Sequence, residues 1–125
     1  MPDDPSLLAI ALREVREEVG IDVARGGRIL GRLSTIAPLA ARLPRIAVTP
    51  FVAWAPPGAV PHPDPAEVRD AFWMPLHALR AGGRSAAVRH DVDGETREWP
   101  AYPSPQGPVW GITERILTEF LSLLD

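Results

Sequence analysis

The sequence of 125 residues contains no lysine and no cysteine. All 13 basic residues are therefore arginines, which excludes Schiff-base chemistry at a lysine and a phosphate-binding loop that depends on one. Without cysteine there is no disulfide, no thiol nucleophile and no cysteine-ligated zinc. The three histidines, His62, His77 and His90, are too widely scattered for a metal-site motif.

Charge and hydropathy exclude two further classes of partner. The net charge is −3 and no block of like charge stands out, so we expect no nucleic-acid partner and no anionic membrane surface. No apolar run approaches the roughly 20 residues of a membrane-spanning helix, and the first residues lack the basic start of a signal peptide. With 46% hydrophobic residues the chain can form a core. We therefore expect one cytoplasmic domain over residues 1–125.

The first predicted element is a helix over about residues 5 to 19. Asp4 is a suitable N-cap, Pro5 suits the first helical position, and Gly20 is a typical stop. An apolar stripe at helical spacing supports the prediction and consists of Leu8, Ala11, Leu12, Val15 and Val19.

The rest of the chain alternates strand and turn signals and ends in a helix. We predict strands at 28–33, 45–54 and 67–76, a short helix at 77–80, a hairpin of 85–92 and 95–102, and a helix at 109–124. Residues 56–65 contain five prolines and are predicted to be a loop. Strand formers, the Asp93-Gly94 turn and helical periodicity together predict the α+β class.

Three glutamates crowd the end of the first predicted helix: Glu14, Glu17 and Glu18, in ALREVREEVGI. Spacings of three and four put Glu14 on the face of the other two, where like charges destabilise by about 0.2–0.5 kcal/mol per pair. The helix dipole also disfavours anions in the last turn, by about 0.3–1 kcal/mol each. A solvated face, with Arg13 and Arg16 offsetting some repulsion, is one explanation. The other is a divalent cation site, because Mg²⁺ takes carboxylate oxygens as ligands.

The segment REVREEVGI, residues 13–21, resembles the second half of the Nudix box, R-E-U-x-E-E-x-G-U, where U is aliphatic. All seven specified positions match, at the end of a predicted helix. The resemblance implies a Nudix-like α/β/α sandwich, with a mixed β-sheet between helices. It also implies a metal-dependent hydrolase that cleaves a diphosphate link.

Later segments resemble the coenzyme A pyrophosphatase branch of that family. They are VTPFV at 48–52, Glu67-Val68, WMPL at 73–76 and WGIT at 110–113. The four tryptophans are otherwise more typical of packing than of base stacking. The resemblance implies a small nucleotide-type substrate, best coenzyme A or its thioesters, cleaved to 4′-phosphopantetheine and 3′,5′-ADP.

The same resemblance assigns roles to individual residues. Glu14, Glu17 and Glu18 would ligate Mg²⁺ or Mn²⁺, and one of them, or Glu67 from a distant loop, would deprotonate the attacking water. Arg13 would hold the carboxylates in place by a charge-assisted hydrogen bond.

The first half of the box is not found. The full pattern places a glutamate eight residues before Arg13, where this sequence has Pro5, and its glycine would precede Met1. We therefore expect a domain that lacks its N-terminal strands. Three explanations stay open: a start assigned too late, which we favour, an inactive remnant, or a sheet completed by a partner chain, such as a homodimer. The alternative function is accordingly a non-catalytic Nudix-like binding module.

Overall fold

The computed structural model of the chain describes residues 6–37, 47–92 and 94–124. The chain divides into two compact units, Met1–Phe72 and Trp73–Asp125. Unit 1 contains helix α1 (Leu7–Val19) and strands β1 (Arg28–Arg32) and β2 (Phe51–Trp54). Unit 2 contains helix α2 (Leu76–Gly82), strands β3 (Ala86–Val92) and β4 (Glu95–Ala101), and helix α3 (Ile112–Ser122).

Helix α1 begins at Leu7, two residues later than predicted. Ser6 is its N-cap, and the Ser6 hydroxyl accepts a hydrogen bond from the N–H of Ala9 at 3.1 Å. The predicted cap, Asp4, and Pro5 lie outside the described residues. The apolar stripe of α1 is half-buried rather than buried, and Val15 is 36% exposed.

Two N–H groups of the proline-rich loop close the C-terminal end of α1. An α-helix leaves its last carbonyls without partners inside the helix. Here the N–H of His62 donates to the Val19 carbonyl at 2.7 Å, and the N–H of Asp64 donates to the Glu18 carbonyl at 2.8 Å. Gly20 ends the helix with φ 73°, and a Cβ at Gly20 would lie 3.0 Å from the His62 Cβ. Glycine therefore permits both the left-handed turn and the close approach of the loop.

The strands β1 and β2 pair as an antiparallel ladder. The prediction of a strand at 45–54 is confirmed at 51–54 only, and its first two residues lie outside the described part of the chain. Val48 forms an isolated bridge with Ile36. Between this bridge and the ladder, the Leu33 N–H donates to the Pro50 carbonyl at 2.9 Å, but Pro50 has no N–H with which to complete a further pair.

The prediction of a strand at 67–76 is wrong, because residues 67–75 form a turn and irregular chain before α2. The N–H groups of Glu67 and Val68 donate to the Asp64 carbonyl, at 3.0 and 2.8 Å. The Asp70 carboxylate accepts a hydrogen bond from the next N–H along the chain, at 2.8 Å. These local bonds take the donors that a sheet would need.

The predicted hairpin in unit 2 is confirmed. Strands β3 and β4 pair antiparallel in an unbroken register, from Ala86 opposite Ala101 to Val92 opposite Glu95. Gly94 in the turn has φ 81°, while Asp93 lies outside the described residues.

Both predicted helices of unit 2 are present with altered bounds. The short helix predicted at 77–80 is α2, and α3 begins at Ile112 rather than Val109. Val109 instead forms a bridge with Tyr102, and Gly111, with φ 71°, separates that bridge from the helix.

A polar chain of three side chains lies in the interior of unit 2. Tyr102 is 3% exposed, and its hydroxyl lies 2.7 Å from the Thr118 hydroxyl, which donates to the Glu114 carboxylate at 2.6 Å. Glu114 is 7% exposed and lies 3.8 Å from the Arg84 guanidinium. These bonds satisfy groups whose burial would otherwise be unfavourable.

The predicted α+β class is confirmed. The described strands pair in two separate antiparallel ladders, β1–β2 and β3–β4, so the parallel pairs of a mixed sheet are not among them. A tight turn such as that between β3 and β4 permits only antiparallel pairing.

Trp54 and Trp73, predicted to pack, are 62% and 60% exposed. Within the described residues, no helix combines the length and apolar character needed to cross a membrane.

We predict that Gly20→Ala destabilises the protein more than Gly58→Ala does. Both glycines have nearly the same φ, 73° and 74°, so both replacements carry the left-handed backbone cost of about 1–2 kcal/mol. Only at Gly20 would the new Cβ press against His62; at Gly58 it would meet no described atom within 4 Å. Urea unfolding followed by circular dichroism measures the difference, and equal losses for the two variants would contradict the docking of the loop on α1.

We predict that Tyr102→Phe lowers the free energy of unfolding by about 0.5–1.5 kcal/mol. The variant loses the buried hydrogen bond to the Thr118 hydroxyl, while only one oxygen atom is removed from the side chain. The matched control is Glu95→Gln, which weakens an exposed ion pair with Arg97 and should change little. Urea unfolding is the measurement. A Tyr102→Phe variant as stable as the parent would show that the Thr118 bond contributes nothing.

Candidate functional site

An open cleft of about 470 Å³ in unit 1 collects the charged residues that the sequence singles out. We call it the acidic cleft. Its lining residues are Arg13, Glu14, Glu17, Glu18, Asp64 and Glu67. All five predicted site residues are thus on one surface, although Glu67 is about fifty positions from the helix glutamates in sequence.

Helix α1 presents one side of the acidic cleft. Glu14 and Glu17 are exposed and Glu18 is half-buried. The Arg13 guanidinium lies 3.9 Å from the Glu17 carboxylate, with the two side chains 51% and 61% exposed. That separation is an ion pair rather than the charge-assisted hydrogen bond that the resemblance implied. An exposed pair of this kind contributes about 0.3–0.5 kcal/mol at most, which offsets about one of the two repulsive pairs that Glu14 makes with Glu17 and Glu18.

The proline-rich loop presents the other side. Its backbone is joined to α1 through His62 and Asp64, and the turn that follows brings Glu67 to the acidic cleft. Around Glu67 the chain forms a turn rather than the start of the predicted strand, because the Glu67 N–H donates to the Asp64 carbonyl.

Asp64 is the cleft residue that the sequence did not single out. Its carboxylate accepts a hydrogen bond from the Ala66 N–H at 3.0 Å, the pattern of an Asx turn. The signal was present in Asp64-Pro65-Ala66-Glu67, because aspartate before proline favours such a turn. It carries no information about which distant element the turn will meet.

The donor chemistry of the acidic cleft fits a hard divalent cation. Five of its six lining residues are carboxylates, and oxygen donors of this type suit Mg²⁺ and Mn²⁺. Within the described ranges, no three histidine or acidic side chains lie close enough together to hold an ion among them. The backbone places these carboxylates on one surface, and the exposed glutamate side chains would have to turn toward one another to hold an ion.

The chain is similar to proteins that carry a Nudix domain. The family model described as the NUDIX domain matches residues 2–99. A protein of Photorhabdus laumondii named "Uncharacterized Nudix hydrolase NudL" is 34% identical over 120 residues. Proteins with the same name from Klebsiella pneumoniae and Cronobacter sakazakii are 33% and 34% identical over 117 residues.

These relatives are longer than the chain. The matches cover 93% of this chain in each case, but 59% of the Photorhabdus protein and 58% of the other two. The chain thus spans rather more than half the length of the curated relatives it matches. Because the family model covers most of the chain, including the carboxylate-bearing helix α1 and the loop that docks on it, the chain belongs to the Nudix family.

Proposed function

We propose that the chain is a metal-dependent hydrolase that cleaves the diphosphate link of a nucleoside-diphosphate-type substrate. The observation that carries the proposal is the acidic cleft, where Glu14, Glu17 and Glu18 of α1 share one surface with Glu67 of the loop. Membership of the Nudix family supports it, since the relatives are named hydrolases.

In the proposed reaction a water molecule attacks one phosphorus of the P–O–P link. A P–O bond to the bridging oxygen breaks, and each product retains one of the two phosphorus atoms. Glu67, or one of the α1 glutamates, accepts the proton of the attacking water. Glu14, Glu17 and Glu18 would hold Mg²⁺ or Mn²⁺, which when bound lowers the pKa of a water ligand and neutralises phosphate charge. Arg13 supplies a fixed positive charge beside Glu17.

We propose coenzyme A or one of its thioesters as the substrate, with 4′-phosphopantetheine and 3′,5′-ADP as products. The support is the resemblance of the later segments to the coenzyme A pyrophosphatase branch, above all Glu67-Val68 beside the acidic cleft. We place the activity in the cytoplasm, where nucleotide cofactors are used. The homodimer remains a prediction from the sequence.

We predict that Glu18→Gln stabilises the metal-free protein by about 0.3–1 kcal/mol, since it removes repulsion from Glu14 and an anion from the last helical turn. Glu98→Gln, on strand β4 of unit 2, is the matched control and should change little. The measurement is urea unfolding at low ionic strength with a chelator present. A loss of stability in Glu18→Gln would mean that the Glu18 carboxylate has a stabilising partner that outweighs its repulsion from Glu14, which contradicts the prediction.

The activity test incubates the chain with coenzyme A and Mg²⁺ or Mn²⁺ and follows products by mass spectrometry. We predict both products from the parent and from Glu98→Gln. In Glu17→Gln and Glu18→Gln the rate of product formation should fall by at least about 100-fold, because the charge at the reacting phosphate is no longer balanced.

The outcome that contradicts the assignment is full activity in folded Glu17→Gln. If the parent forms no product from coenzyme A, from its thioesters or from other nucleoside diphosphate derivatives, the non-catalytic binding module becomes the better description. Binding of those nucleotides without turnover, measured by calorimetry, would then identify it.

A further inference from the structure

Asp64 joins the end of α1 to the turn that carries Glu67. Its N–H donates to the Glu18 carbonyl at 2.8 Å. Its own carbonyl accepts from the N–H groups of Glu67 and Val68, at 3.0 and 2.8 Å. One residue therefore links the backbone of a predicted metal ligand, Glu18, to the backbone of a predicted base, Glu67.

The side chain of Asp64 fixes the same turn a second time. One carboxylate oxygen accepts the Ala66 N–H at 3.0 Å, and Pro65 between them has its φ fixed by the ring. An aspartate or asparagine in this position folds the chain back on itself, and alanine has no acceptor with which to do so. The side-chain contribution to this turn thus comes from an acceptor oxygen of residue 64, which an asparagine would also supply, rather than from a negative charge.

The turn also decides where Glu67 lies in the acidic cleft. Glu67 is exposed, and its carboxylate has no hydrogen-bond or ion-pair partner among the described residues. Its placement opposite the α1 glutamates therefore follows from its backbone. We propose that Asp64 is a positioning residue, whose side-chain oxygen orders the turn that holds Glu67 over the acidic cleft. The inference rests on the proposed function for its catalytic consequence and on the hydrogen bonds alone for the ordering.

A role of the Asp64 charge and a role of its acceptor oxygen predict different results for two variants. Asp64→Asn keeps an acceptor oxygen for Ala66 and removes the charge, whereas Asp64→Ala removes both. Asp70→Ala is the matched control, because Asp70 also accepts a local N–H, at 2.8 Å, but does not line the acidic cleft.

We predict that Asp64→Ala lowers kcat for coenzyme A hydrolysis with Mn²⁺ by about 10- to 100-fold, since a misplaced reacting group costs that much. KM should change little, because Glu67 acts on water rather than on bound substrate. Asp64→Asn should lose clearly less of the parent's kcat than Asp64→Ala does, and Asp70→Ala should match the parent. If Asp64→Asn, folded as judged by circular dichroism, loses as much as Asp64→Ala, then charge matters and the positioning role is wrong. An Asp64→Ala variant with the parent's kcat overturns it equally.

A second readout keeps the inference separate from the proposed function. Solvent exchange of the Ala66 amide, measured by NMR, should be about two- to tenfold faster in Asp64→Ala than in the parent and unchanged in Asp64→Asn. If the parent does not hydrolyse coenzyme A, the substrate assignment fails and this exchange rate decides the ordering role. Equal exchange in the parent and in Asp64→Ala would overturn it.

Discussion

The closure of the C-terminal end of α1 is the constraint on which the site depends. A helix end needs partners for its last carbonyls, and here the loop supplies them through His62 and Asp64. The same two bonds bring a stretch of chain more than forty residues away against the glutamates of α1. Gly20 makes this contact possible, because any side chain at that position would meet His62. A local requirement of helix geometry thus assembles the two halves of the acidic cleft.

The charge pattern of α1 is consistent with the proposed cation site. Glu14, Glu17 and Glu18 repel one another, and the 3.9 Å pair of Glu17 with Arg13 is exposed and weak. The loop adds Asp64 and Glu67 to the same surface instead of cations. Arg16 in the last turn of α1 is favourable to the helix dipole, but Glu17 and Glu18 lie in the same turn, where the dipole disfavours anions. Departures from a local rule of this kind are expected where a ligand balances the charge.

The features that could be predicted from the sequence are those set by interactions between residues close together in the chain. The first helix, the β3–β4 hairpin and the glutamate cluster follow from periodicity and turn chemistry within a few residues. The strand predicted at 67–76 does not form, because the N–H groups of Glu67 and Val68 donate to the Asp64 carbonyl. Strand propensity does not include such competing local hydrogen bonds. The proposed role of Asp64 could not be predicted from the sequence, since it depends on the hydrogen bond from the Asp64 N–H to the Glu18 carbonyl. Glu67 was placed near the glutamates only by family resemblance, because spacing says nothing about contacts across fifty residues.

Anomalous scattering from crystals grown with MnCl₂ tests most directly whether the acidic cleft binds a divalent cation. We predict an anomalous peak from Mn²⁺ in the acidic cleft, within bonding distance of carboxylate oxygens of Glu14, Glu17 or Glu18, and no such peak in crystals of Glu17→Gln. If the parent crystals show no anomalous peak in the acidic cleft at millimolar Mn²⁺, or a peak only elsewhere on the chain, the proposed cation site is contradicted.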